Sequence, residues 1–324
     1  MERQTRTGYG VAALLFLVGC SLLIAGVGRI IETPEEPLRI GTNLWIGYEP
    51  LHQARSDGEL PGNVVLVESR SSPALMEAML TNNLDGAALT LDEVMRLQAA
   101  GLPMVVTLIL DISDGADAIV ARSKAAPAVP LPGSRIGVEM DGVGAYFLYR
   151  FLEIKGVNAD AVTIVPIPAT EHVTAFDKNN LDYLVTYEPL VSQLVESGAK
   201  KIFDSSSTPR EIVDVLAFRR DRIGNHSDTI RAISLGWFKG VAALKSMEAA
   251  ALSRVARRQG LNTQSIKLLL TNLEFPNLDQ NRGLLAGSGS GLSLMPLEKW
   301  LSQENSGKDI GTMPAFNPTL LPKR

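Results

Sequence analysis

Between Leu38 and Arg220, short apolar runs alternate with segments of helical pattern, and this alternation restricts the fold more than any other feature. LRIGTNL (38–44), VVLVES (64–69), DGAALT (85–90) and MVVTLIL (104–110) read as strands. PALMEAMLTN (73–82) reads as a helix begun by Ser71 or Ser72 with Pro73 in its first turn, and LDEVMRLQAAG (91–101) as one closed by Gly101. Strand, helix, strand in this order predicts a parallel α/β sheet.

The rhythm is interrupted once and then begins again. ADAIVARS (116–123) is a further strand, followed by the loose Ala/Pro stretch AAPAVPLPGS (125–134). A new unit then opens with RIGVEM (135–140), the turn DGVG, the helix AYFLYRFLEIKG (145–156) and the strand VTIVPIP (162–168). Residues 171–178 read as helix, DYLVTYEP (182–189) as strand into loop, VSQLVESG (191–198) as helix and KKIFDS (200–205) as strand. IVDVLAFRRD (212–221) leads out, and helical segments dominate from Thr229 onward. The expected layout is therefore a first lobe of residues 38–123 and 212–324 with a second lobe, 124–211, inserted into it. Two strands crossing between the lobes would form a double hinge, and a ligand would sit in the cleft, met by strand-to-helix loops from both sides.

At 324 residues with 45% hydrophobic side chains, the chain can bury two such cores. A formal charge of −4 and the absence of a Lys/Arg-rich block argue against nucleic acid. Cys20 is the single cysteine, which excludes a disulfide within the chain and a Cys-based zinc site. Its surroundings say more. Arg3 and Arg6 precede the apolar run Val11–Gly19, and Leu17-Val18-Gly19-Cys20 resembles a bacterial lipobox, in which Cys20 would become a lipidated N-terminus. The apolar run also continues to Gly28, so residues 1–31 could instead be an uncleaved membrane anchor or a plain cleaved signal. Each alternative puts the body outside the cytoplasm, with 32–37 as a proline-broken spacer.

Tests for enzyme chemistry are negative in the sequence. His52, His172 and His226 share no metal-ligand spacing, and no metal or cofactor is expected. Gly287–Gly291 fails the nucleophile pattern G-x-S-x-G because its centre is Gly289. Gly142-Val143-Gly144 lacks the third glycine of a dinucleotide fingerprint, Phe147 standing in its place, and is expected to turn a strand into a helix whose first amides face the cleft. Carboxylates gather near the presumed loops, at Glu49, Asp92, Asp111, Asp114, Glu139, Asp141 and Glu188, with no spacing that fixes a catalytic pair.

Leu38-Arg39-Ile40-Gly41 followed by Trp45-Ile46-Gly47-Tyr48-Glu49-Pro50-Leu51 resembles the start of mature solute-binding proteins of ABC importers, of the nitrate, sulfonate, taurine and pyrimidine-precursor type. Asp85-Gly86-Ala87 to Asp92, Ala99-Ala100-Gly101-Leu102-Pro103, Leu131-Pro132-Gly133-Ser134 and Tyr187-Glu188-Pro189 extend the resemblance, which covers Leu38 to Arg220 and leaves the C-terminal part matched only as generic helices. It implies the two-lobed α/β fold of type II periplasmic binding proteins, a small-molecule ligand, an ABC permease as partner and a monomer without enzyme activity. It also implies that Trp45, Tyr48 and Glu49 stand at the first-lobe wall. Ser71, Ser72, Thr90 and Asp92 would add polar contacts, with Asp114 near the crossing, and Gly142, Gly144, Tyr146, Tyr187 and Glu188 would close the cage from the second lobe. Apart from Arg70 these loops hold almost no cationic side chain, which favours a neutral or cationic ligand such as an amine or an amino-bearing pyrimidine. Two rival roles share the fold: a sensor presenting its ligand to a membrane partner, and a synthase, which would want a cleft rich in His and Cys.

Overall fold

The computed structural model describes residues 36–178, 180–304 and 313–323. The signal, anchor and lipidation expectations for residues 1–31 lie outside them, and among the described residues no helix is long and apolar enough to cross a membrane.

Among the described residues twelve strands follow one another: β1 Leu38–Thr42, β2 Val64–Glu68, β3 Gly86–Thr90, β4 Met104–Ser113, β5 Asp117–Ala121, β6 Arg135–Val138, β7 Thr163–Pro166, β8 Tyr183–Tyr187, β9 Lys200–Asp204, β10 Val213–Arg219, β11 Leu273–Glu274 and β12 Ala315–Phe316. They form two sheets. The first runs β11-β4-β10-β3-β1-β2, with β12 also on β4, and the second runs β7-β6-β8-β5-β9. Every residue of β3, β4 and β5 is buried, as expected of strands covered on both faces. The neighbouring β2 lies at an edge and exposes Val65 and Val67.

Both sheets are mixed rather than purely parallel. β1 pairs in parallel with β2 and β3, and β6 with β7 and β8, as the alternation predicts. β10 is antiparallel to β3 and β4, and β5 is antiparallel to β8 and β9. The cause is the insertion: the chain leaves the first sheet by β4 and returns by β10, so the outgoing and returning segments run in opposite directions. β5 hydrogen-bonds within the second sheet, so the outward crossing falls at residues 114–116, where the sequence reading carried the first lobe on to residue 123. Gly115 makes that bend at φ +109°, a conformation that favours glycine. The return runs through Ser205–Ile212. Ser205 Oγ ties the two crossings together: it lies 2.8 Å from Ser113 Oγ and accepts the Gly115 N–H at 2.7 Å.

The long helix Arg220–Lys245 braces the helix Glu49–Ser56. A side chain at Gly240 would collide with the Pro50 carbonyl, and one at Gly236 would meet the Glu59 carbonyl at 2.7 Å, so two glycines four apart allow the backbones to touch. Trp237 is fully buried between them in sequence. This contact holds the turn that precedes the braced helix, which carries the first wall of the cleft.

Candidate ligand-binding site

The turn after β1 is set by its own polar groups. Asn43 Oδ1 accepts the Trp45 N–H at 2.9 Å, and the Tyr48 N–H reaches the Trp45 carbonyl at 3.1 Å, closing a single 3₁₀ turn over Ile46–Tyr48. Gly47 is required there because a Cβ would strike both the Asp111 carboxylate and Trp45 Nε1. The indole is thereby laid beside Asp111 with its other edge toward the second lobe. There it meets Tyr187, ring centroids 5.7 Å apart and planes at 83°, an edge-to-face contact between lobes.

Around this contact lies a cleft lined from the first lobe by Asn43, Trp45, Tyr48, Ser72, Thr90, Glu93 and Asp214, and from the second by Asp117, Glu139, Val143, Gly144, Phe147, His172, Val185, Thr186 and Tyr187, with Ile212 on the returning segment. Four of these are carboxylates, and among the described residues no Lys or Arg lines the cleft. Tyr48 donates its hydroxyl proton to Asp214, and burial, reinforced by that carboxylate, raises the phenol well above its usual range, so it stays a neutral donor. Glu93 Oε2 accepts the Thr90 N–H at 3.0 Å, and Glu139 Oε1 accepts the Ala169 N–H at 3.0 Å. Burial raises the pKa of Glu93, Glu139 and Asp214, pushes Asp117 to about 7, and pushes Asp111, just behind the wall, to about 8. His172 Nδ1 lies 2.9 Å from Thr186 Oγ1, and burial lowers its pKa to about 4, so it adds no positive charge near neutral pH.

Of the residues singled out in the sequence, Trp45, Tyr48, Ser72, Thr90, Glu139, Gly144 and Tyr187 are brought together on this lining. The others stand elsewhere. Glu49 is turned away, held by Arg258 Nε at 3.1 Å and Gln259 Nε2 at 2.7 Å. Ser71 stands at the N-terminal boundary of the helix Ser72–Leu80, and Asp92 is buried 3.9 Å from Arg96 Nε. Asp114 is exposed at the outward crossing. Gly142 precedes the helix Val143–Lys155 at the cleft's edge. Tyr146 donates to Glu211 Oε2 at 2.8 Å and packs on Trp300, while Glu188 accepts from Ser192 N and Oγ at the start of the helix Leu190–Glu196. Arg70 lines a second, outer depression that shares Tyr187 with the cleft. Asn43, Glu93, Asp117, His172, Thr186 and Asp214 were not singled out for the site.

A cleft between two α/β sheets joined by two crossings is the architecture of the periplasmic binding proteins. Residues 32–257 match the NMT1-like family, and the chain belongs to that family. No curated protein sequence matches it significantly. Among solved structures it is similar to the periplasmic aliphatic sulphonate binding protein SsuA from Escherichia coli, with 17% identity and TM-score 0.70 over 89% of this chain and 94% of that one. The periplasmic nitrate-binding protein NrtA from Synechocystis PCC 6803 matches with 11% identity and TM-score 0.61 over 87% and 93%. The desulfurization enzyme DSZB matches with 16% identity and TM-score 0.65 over 88% and 98%. At such identities the likeness establishes the fold, which serves binding proteins and at least one enzyme alike.

Proposed function

We propose that the chain is the extracytoplasmic solute-binding component of an ABC importer, capturing a small neutral or cationic molecule between its lobes and passing it to a permease. The observation that carries this reading is the interlobe cleft itself, whose aromatic and acidic walls come from both sides of the hinge. A ligand touching both lobes binds the closed state better than the open one and so shifts the balance toward closure. Membership of the NMT1-like family and the fold shared with the sulphonate- and nitrate-binding proteins support the same reading. No covalent chemistry is assigned to this cleft.

A thermal-shift screen of the purified protein against amines, amino-bearing pyrimidines, amino acids, sulfonates and nitrate tests it. A bound solute at about 100 times its dissociation constant adds roughly 2.7 kcal/mol, a clear rise in melting temperature. Hits among amines or aminopyrimidines are expected. Hits confined to sulfonates or nitrate would keep the capture role and reverse the ligand chemistry.

Attachment to the membrane is part of the proposal, through a lipid on Cys20 or a retained N-terminal helix. With lipidation, Cys20→Ala is expected to change the processed size and release the protein from the membrane fraction. A variant of unchanged size that still sediments with membranes would leave the retained helix as the anchor.

A further inference from the structure

The four carboxylates of the cleft are divided between the lobes. Glu93 and Asp214 follow or lie on strands of the first sheet, Asp117 and Glu139 on or after strands of the second. Glu93 and Glu139 crowd one point. A Cβ at Gly142 would stand 2.9 Å from Glu139 Oε2 and 3.5 Å from Glu93 Oε1. Glu93 Oε2 and Glu139 Oε1 are already taken by backbone N–H groups, so the oxygens that meet near Gly142 are the remaining one of each, Glu93 reaching it from the first lobe. Asp117 supplies an independent sign of a missing partner: it is only 5% exposed, it lines the cleft, and its Oδ2 is buried without a hydrogen bond.

Bringing like charges together in a site that excludes water is unfavourable, and burying them unpaired is more so. The usual remedy is a guanidinium or ammonium among them. Here the described lining offers none, and its aromatic members, Trp45 and Tyr187, present rings of the kind that attract cations.

We propose that closure is gated by positive charge: the occupant is an organic cation with N–H donors, seated between carboxylates of opposite lobes with Asp117 as a principal acceptor, and in its absence these carboxylates hold the lobes apart. This rests on the capture role proposed above and adds the rule that selects the ligand. An anion would add its own charge to a cleft lined by four acids with no cation among its described residues, and a neutral molecule of the same shape would leave the interlobe repulsion in place.

The gate can be tested before the natural ligand is known. Spin labels at Asn83→Cys and Asp160→Cys, one exposed position on each lobe, report the interlobe distance by electron-electron resonance in the full chain carrying Cys20→Ala. At pH 8 the solute-free protein is expected to be open, and Glu93→Gln with Glu139→Gln to contract it with no solute added. Glu139→Gln alone, at a half-buried position, gives a partial contraction and guards against misfolding of the double variant. 2-Phenylethylamine and putrescine are the cationic probes, with 2-phenylethanol and methanesulfonate as neutral and anionic controls. Contraction by a cation and not by the controls, weakened about 10- to 100-fold by Asp117→Asn, is the expected result. Equal distances in the parent and both glutamine variants overturn the gate. If a control solute contracts the distance while the substitutions do not, capture stands and only the gate falls; a distance that nothing moves removes both.

Discussion

Melting temperatures of the ligand-free protein are expected to fall by several degrees as the buffer is raised from pH 6.5 to pH 8, where most proteins are near their plateau. The cause is the set of buried carboxylates behind and around the cleft. Burial raises Asp111 to about 8 and Asp117 to about 7, against an ordinary aspartate value near 3.9, and raises Glu93 and Asp214 as well. A group whose pKa is raised in the folded state contributes stability that is complete below its unfolded value and is lost as pH climbs through its folded value. That loss spans pH 4 to about 8 for Asp111 and pH 4 to about 7 for Asp117, at up to about 1.4 kcal/mol per pH unit for each. The histidines oppose it at the acid end. His52 and His172 are lowered by burial to about 4, so their contribution is missing below pH 4 and grows until pH 6.5. The two effects offset one another between pH 4 and 6.5, and the carboxylates act alone above that. Differential scanning calorimetry in matched ionic strength checks this, with Asp111→Asn expected to flatten the decline. A melting temperature that holds steady to pH 8 would show that these carboxylates ionise freely in the folded protein.

The same residues explain what the sequence made legible. The strand and helix order was readable because β1, β3, β4 and β10 are runs of Val, Ile, Leu and Ala set off by Gly, Pro and charged turns, a pattern local to each element. Strand direction was not, because the antiparallel placement of β5 and β10 follows from where the chain crosses between sheets, a non-local fact. The crossing itself was placed late because ADAIVARS reads as one more strand of the first lobe, and nothing local to it shows that β5 pairs with β8 and β9 in the second sheet.

The site was legible where a residue type announces itself in a turn. Trp45, Tyr48 and Tyr187 are large rings within two residues of Gly or Pro, and the structure puts them on the cleft lining. Glu49, Glu188 and Asp114 drew notice for the same kind of position, yet they are spent on an ion pair, a helix start and solvent. Three of the four carboxylates that do line the cleft had a different signal. Asp117 in DAIVA and Asp214 in VDVLAF are single acids inside apolar strands, where burial demands a reason. Glu93 completes the pattern Thr-x-x-Glu with Thr90, a capping box legible from spacing alone. Loop position marked one lining acid, Glu139, while charge inside an apolar run marks Asp117 and Asp214.

Trp45→Ala is expected to weaken binding of whichever solute the screen identifies by about 30- to 1000-fold, the roughly 2–4 kcal/mol of a buried aromatic at the centre of an interface. Trp45 is 7% exposed and is the cleft-lining first-lobe ring that meets the second lobe, through its edge-to-face contact with Tyr187. Truncation removes a wall of the cleft and also the contact that steadies the closed arrangement, so both terms of the closure equilibrium move against the ligand. Trp45→Phe separates shape from polarity: it keeps a ring against Tyr187 and deletes the Nε1 group beside Asp111. If the ring supplies most of the effect, Phe binds within about tenfold of the wild type, in line with about 1 kcal/mol for a neutral hydrogen-bonding group. Calorimetric titration measures each affinity, and ligand-free melting curves of the same variants separate lost binding from lost folding. An alanine variant that folds and binds as tightly as the wild type would place the ligand away from this wall and move the search to the depression around Arg70 and Tyr187.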